Sequence, residues 1–212
     1  MVKFIHAADV HLGMTYAGVG KNHKDIAREL KQAAFDAFER VIDTAIEEEV
    51  DALVLAGDLL DSSRTFVKEK LFLQSQLNRL APFGIPVVVA LGNHDAGTSY
   101  VSGERIYTFG SAVETIEVET RNGERVAFSG FSYEVPVVAA RKVQEYPVKS
   151  VNCDIHIGVL HGELTTAQGR YAPFSIPEIR EKGYDYWALG HIHTCQEVSS
   201  QPCAWYSGTT QG

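Results

Sequence analysis

The sequence predicts a single α/β domain. Short apolar runs alternate with longer stretches of helical period through the first half, and a hairpin signal at Asn122-Gly123 joins strand runs in the second. The 212 residues, 45% hydrophobic and 22% charged, match ordinary globular usage for one large domain.

Each element follows in order. Val2–Ala8 is a short apolar strand, followed by a Gly-rich loop through Gly20. From Asn22 to Glu49, the residues Ile26, Leu30, Ala34, Phe38, Val41 and Ala45 recur at spacings of three and four, the period of an amphipathic helix. Ala52-Leu53-Val54-Leu55-Ala56 is a buried strand, and Val67 to Leu80 is a second helix. Pro86–Ala90 is a third strand whose proline sits at its start, where a missing N–H is tolerated. Glu114–Thr120 and Arg125–Ser129 flank the Asn-Gly turn, and Asp154–His161 and Tyr186–Gly190 are further strands. Ser175-Ile176-Pro177-Glu178 has the form of a capping box opening a short helix that stops at Gly183. The chain thus passes from strand–helix units to a more antiparallel second half, with no internal repeat or linker.

Composition narrows the function classes. No run approaches the roughly 18 apolar residues of a membrane span, and the opening Met1-Val2-Lys3-Phe4-Ile5-His6 reads as a strand, not an export signal. Cys153, Cys195 and Cys203 are odd in number with no Cys-x-x-Cys spacing, which suits a reducing, cytoplasmic setting. The net charge is −8, from 19 Lys and Arg against 27 Asp and Glu, and the cations are dispersed. Charge alone therefore shows no nucleic-acid footprint, although an acidic pocket loaded with divalent cations becomes locally positive.

The chemistry lies where the strands end. Asp9-Val10-His11 follows the first strand, Gly57-Asp58 the second and Gly92-Asn93-His94-Asp95 the third; later strands end in His161-Gly162 and Gly190-His191-Ile192-His193. Residues at the carboxyl ends of strands project into the crevice where open α/β sheets place ligands. In Asp-x-His and His-x-His the two side chains share a face if the segment is extended. Gly57, Gly92 and Gly190 each precede a candidate ligand and permit a close backbone approach. Singly these segments are turn signals; five in order are hard to explain by packing.

In this order the motifs resemble the calcineurin-like metallophosphoesterase superfamily, whose signature is Asp-x-His, Gly-Asp, Gly-Asn-His-Asp/Glu, a lone His and Gly-His-x-His. Finer features are similar to the double-strand-break repair nuclease branch, the SbcD-like exonuclease subunits. They are His6-Ala7-Ala8-Asp9-Val10-His11-Leu12-Gly13, Gly57-Asp58-Leu59-Leu60-Asp61-Ser62-Ser63 and Tyr184-Asp185-Tyr186-Trp187-Ala188-Leu189-Gly190-His191-Ile192-His193. The resemblance implies a four-layer α-β-β-α sandwich of two mixed sheets, with residues 1–212 forming a metallophosphoesterase domain.

It also implies roles. One metal is held by Asp9, His11 and His193, the other by Asn93, His161 and His191, and Asp58 bridges them. A bridging carboxylate lowers the repulsion between dications roughly 3.5–4 Å apart. The mixed imidazole and oxygen set suits Mn²⁺ or Fe, with Mg²⁺ or Zn²⁺ as alternatives. Water activated by both cations attacks phosphorus in line, His94 stabilises the transition state or protonates the leaving alkoxide, and Asp95 either orients His94 or is only a turn residue. Asp61 stands where some relatives carry a histidine that assists exonuclease action.

The expected function is a metal-dependent DNA nuclease in DNA repair. The alternatives are a small-molecule or cyclic-nucleotide phosphodiesterase of the same superfamily and a non-catalytic metal-binding scaffold. A phosphoprotein phosphatase fits less well, since no arginine–glycine pair follows Asp61. The chain ends 19 residues after His193, without room for the DNA-capping region and the segment binding an SMC-like ATPase that follow in SbcD-like proteins. A catalytic-domain piece is expected, with DNA as partner, an SMC-like ATPase through the missing region, and a homodimer through the helix of Leu71, Phe72 and Leu77. His6, His23 and His156 are expected to be structural, and Cys195 a buried thiol. The aromatic loop Gly169–Phe174 either packs on the domain or meets substrate.

Overall fold

Strands β1 (Phe4–Ala7), β2 (Ala52–Ala56), β3 (Val87–Ala90) and β4 (Ile106–Thr108) form one sheet in that order, every pair parallel. The computed structural model describes residues 1–14, 24–61, 67–98 and 101–211. Residues 15–20 of the Gly-rich loop, the helix start at Asn22, His23, and Ser62-Ser63 lie outside the described residues. The second sheet has the order β5 (Glu114–Glu119), β6 (Arg125–Gly130), β7 (Ile155–His161), β8 (Tyr186–Gly190), β10 (Cys203–Tyr206), β9 (Gln196–Ser200).

Strand period sorts the side chains into layers. Leu53, Leu55, Val87 and Val89 face outward, packing with Phe35, Phe38 and Ile42 of α1 (Lys24–Glu47) and Leu73 and Leu77 of α2 (Val67–Asn78). Their neighbours Val54, Ala56, Val88 and Ala90 face the other way, against Phe128, Ile157, Val159 and Ala188 of the second sheet. On that sheet's far side Leu160, Trp187, Leu189 and Tyr206 pack with Ile179 of α3 (Ile176–Glu181) and with Tyr146 and Phe174. The result is helix, sheet, sheet, helix: the expected four layers. Both faces of β2, β3 and β8 are covered, which is why these strands read as unbroken apolar runs.

The second sheet is antiparallel only at its margins. The hairpin β5–β6 and the pair β9–β10 are antiparallel, while β6–β7, β7–β8 and β8–β10 are parallel. Strands β4, β9 and β10 are additional to those expected from the sequence; β9 reads Gln-Glu-Val-Ser-Ser, a sheet-edge strand in water. The capping box is present, with the Ser175 amide donating to Glu178 Oε2 at 2.9 Å, and Gly183 terminates the helix region in the left-handed conformation.

Candidate metal centre

The carboxyl ends of β1, β2, β3, β7 and β8 meet at one rim, and the loops leaving them are stitched together by backbone hydrogen bonds. The Asp9 amide donates to the Gly57 carbonyl at 2.9 Å, and that of His11 to the Asp58 carbonyl at 3.0 Å. Seven described non-glycine residues have positive φ, and four are ligand candidates: Asp9 (52°), His11 (47°), Asp58 (53°) and His191 (97°). Such left-handed backbone is costly for residues with a Cβ and persists where surrounding contacts impose it. Here it turns the side chains inward.

The inward groups converge. Nε2 of His11 lies 3.1 Å from Nε2 of His193, 4.0 Å from Asp9 Oδ1 and 3.8 Å from Asp58 Oδ2. Nε2 of His161 lies 3.3 Å from Asp58 Oδ2 and 3.1 Å from Asn93 Oδ1. Two triads, Asp9 with His11 and His193, and Asp9 with Asp58 and His161, each present one ligand atom per residue within metal-sharing distance. Asp58 and Asp9 stand between the two halves, and the His191 ring centroid is 5.3 Å from that of His161. The structure thus gathers all seven residues that the sequence marks as ligands.

The surroundings suit dications. Asp9, His11, Asp58 and His161 are buried. Burial raises the Asp9 pKa to about 6, and the Asp58 charge adds to the shift despite the opposing pull of His161. Burial also works against charge on His161, but the Asp58 carboxylate outweighs it and raises the pKa to about 9. Asp58 is in turn held below its ordinary range by His161, against its own burial. Burial lowers His11 and His191 to about 4, keeping the rings neutral with one nitrogen of each free of a proton. Two buried carboxylates ringed by imidazole and amide donors, with no cysteine, fit hard or borderline divalent metals. Loading such a site releases the His161 proton.

Orientation comes largely from the backbone. Nδ1–H of His161 donates to the Ala56 carbonyl at 2.9 Å, leaving Nε2 for the centre. A Cβ on Gly190 would overlap that same carbonyl, and one on Gly92 would overlap the Asp58 carboxylate, so both glycines permit the close approach. Nδ1–H of His94 donates to the Asp61 carbonyl at 2.5 Å, which leaves its Nε2 available beside His11 and Asp58. The Asp61 carboxylate lies 3.8 Å from His11 Nδ1.

Of the two parts expected of Asp95, orienting His94 or serving the turn, the contacts of its carboxylate bear on the second. Its carboxylate accepts the amides of Leu59 (3.1 Å), Leu60 (3.0 Å) and Gly92 (3.0 Å). It ties the β2 and β3 loops together, and the β2 loop carries the Asp61 carbonyl that holds the His94 ring. No sequence signal distinguishes a carboxylate aimed at a ring from one aimed at amides three residues back and across a loop.

Other expectations divide. His156 is structural: the Ser150 amide donates to its Nδ1 at 3.2 Å, its Nε2–H donates to Ser129 Oγ at 2.8 Å, and Tyr184 stacks on it at 3.9 Å. His6 is held away from the ligands by the Tyr186 hydroxyl at 3.1 Å. Cys195, expected as a buried thiol, is exposed, because the chain turns outward into β9 directly after His193. In the helix of the expected dimer stripe, Leu77 is buried and Leu71 exposed. Of the aromatic loop, Phe174 packs into the core while the Tyr171 ring lies 4.7 Å from that of His191.

Comparison with known proteins agrees with this geometry. The chain is 38% identical over 216 residues to the uncharacterized metallophosphoesterase YhaO of Bacillus subtilis, covering 98% of this chain and 53% of that protein. It is 28% identical over 212 residues to the DNA double-strand break repair protein Mre11 of Methanopyrus kandleri, covering 91% of this chain and 44% of that one. The chain spans about half the length of these curated relatives. A dimetal phosphatase from Danio rerio shares the fold, with a TM-score of 0.53 at 13% identity over 99% of this chain and 88% of its own. Among the described residues no helix is long and apolar enough to cross a membrane. Residues 2–195 match the calcineurin-like phosphoesterase profile, and the chain, with its ligand-bearing loops gathered on one rim of a two-sheet sandwich, belongs to that family of phosphoester hydrolases.

Proposed function

We propose that this domain is a metal-dependent DNA nuclease acting in DNA repair, with two divalent cations, Mn²⁺ foremost. The observation that carries the reading is the convergence of Asp9, His11, Asp58, Asn93, His161, His191 and His193 beside a histidine, His94, whose Nε2 is left over. The similarity to Mre11 supports nucleic acid as substrate. In the same reading the longer protein adds a DNA-capping region and a segment binding an SMC-like ATPase, the domain pairs as a homodimer through α2, and the setting is cytoplasmic.

When bound, the two cations polarise the phosphoryl oxygens and lower the pKa of water. The chain's own groups do the rest. Asp58 and Asp9 fix the centre from a buried, oriented position. The Asp61 carbonyl holds Nδ1–H of His94, so that in the imidazolium form the Nε2 proton faces the departing alkoxide and can pass to it, leaving the neutral ring.

A Mn²⁺-dependent assay comparing single-stranded DNA, duplex ends and cyclic nucleotides tests the reading. Cleavage of DNA is expected, and His94→Ala should lower kcat by about 10²–10⁴ while calorimetry still counts two bound metals. Turnover of cyclic nucleotides alone would replace the nuclease with a small-molecule phosphodiesterase. Unchanged turnover in His94→Ala would remove His94 from the mechanism.

A further inference from the structure

We propose that Arg170 is a substrate anchor that grips a second phosphate of the same strand, next to the one being hydrolysed, and so selects oligonucleotides over small diesters. The inference rests on the nuclease reading above and adds the residue that reads chain length.

The loop carrying Arg170 is built, not draped. Glu163, two residues after the ligand His161, accepts the backbone amide of Tyr171 at 3.0 Å and that of Arg170 with the same oxygen, Oε1. A Cβ at position 169 would overlap that carboxylate, so Gly169 is required for the fastening. From the other side, the Arg141 guanidinium clamps Glu178 through Nε at 2.8 Å and reaches the Thr165 carbonyl at 3.2 Å. Bridges Val138–Tyr171 and Leu164–Phe174 complete the frame.

This frame presents two side chains beside the centre. The Tyr171 ring packs on ligand candidate His191, and the Arg170 guanidinium lies 5.8 Å from the Tyr171 ring centroid, exposed. The two arginines have opposite fates. Arg141 is consumed by Glu178, whereas among the described residues no carboxylate pairs with the Arg170 guanidinium. A planar fork of donors, unpaired and held at the rim of a phosphoester site, matches a phosphate oxygen pair. The scissile phosphate belongs to the ligands below; the rim position fits the next phosphate along. In a chain of net charge −8 such a cation is not part of a general basic surface.

The test compares wild type with Arg170→Gln and Arg170→Lys, all loaded with Mn²⁺, on bis(p-nitrophenyl) phosphate and on a short oligothymidylate. In Arg170→Gln the ratio of kcat/KM for the oligonucleotide over that for the diester should fall about tenfold, mostly through KM, with partial recovery in Arg170→Lys. Binding of fluorescent oligothymidylate, measured by anisotropy in the His94→Ala background, should weaken and lose about 0.7 from its log–log salt slope. An unmoved ratio with unmoved binding overturns the anchor while leaving the nuclease reading intact. Wild-type turnover of the diester but not of the oligonucleotide overturns the nuclease reading and the anchor with it.

Discussion

Gly190→Ala is a small change placed where two sheets and one metal ligand meet. The added Cβ would overlap the Ala56 carbonyl oxygen and approach His161 Nδ1 to 2.9 Å. Strand β8 lies in one sheet and Ala56 ends β2 in the other, so relief requires the sheets to separate locally. Forcing a methyl into a packed interior costs about 1–3 kcal/mol. Moving the carbonyl also strips His161 Nδ1–H of its buried acceptor, about 1–3 kcal/mol more. The sum is about 2–6 kcal/mol. With a urea m-value of about 1–3 kcal/mol/M, the midpoint should drop by about 1 M or more with m unchanged. Because the same hydrogen bond orients a metal ligand, Mn²⁺ affinity at the His161 site should weaken about 10–100-fold by calorimetry. Gly123→Ala is the control. Gly123 has positive φ (79°) and nothing within 4 Å of its would-be Cβ, so only backbone strain of about 1 kcal/mol is expected and metal binding should not change. If Gly190→Ala unfolds at the Gly123→Ala midpoint and binds metal like wild type, the close approach at Gly190 does not position His161 and the reasoning fails.

Two further outcomes follow from the buried polar groups. Asp95→Ala leaves the amides of Leu59, Leu60 and Gly92 without their buried acceptor and should cost about 3–5 kcal/mol in urea unfolding; a loss below about 1 kcal/mol would mean the loops hold without it. His156 is buried and its pKa is lowered from 6.5 to about 4, chiefly by burial. The neutral ring is the stable form in the fold, so its contribution is complete above about pH 6.5 and is lost as pH falls toward 4, at about 1.4 kcal/mol per unit. His156→Asn should flatten that part of the acid limb relative to wild type, and identical limbs in the two proteins would exclude His156 as its source.

The ligand set was legible because each member sits in a short motif at a strand end, and both signals are local. Asp9 and His11, Asp58, Asn93, His161, His191 and His193 could be named before any contact was known, since apolar runs mark the strands and the polar residues follow within a few positions. The same holds for the capping box at Ser175 and the stop at Gly183. Strands β4, β9 and β10 were not legible: β4 and β10 are only three and four residues long, and β9 is polar and half in water.

What the amino-acid order determines by itself is therefore the inventory: which segments are strands, which faces are apolar, and which side chains can bind a cation. The tertiary structure decides assignments. It set the parallel pairing inside the second sheet, gave Asp95 to three amides and His94 to the Asp61 carbonyl, and paired Arg141 with Glu178 while leaving Arg170 without a carboxylate among the described residues. The reason is physical. Periodicity records how a residue relates to its near neighbours, but a backbone carbonyl has no residue-specific signature, and which carboxylate meets which donor depends on segments brought together from far along the chain.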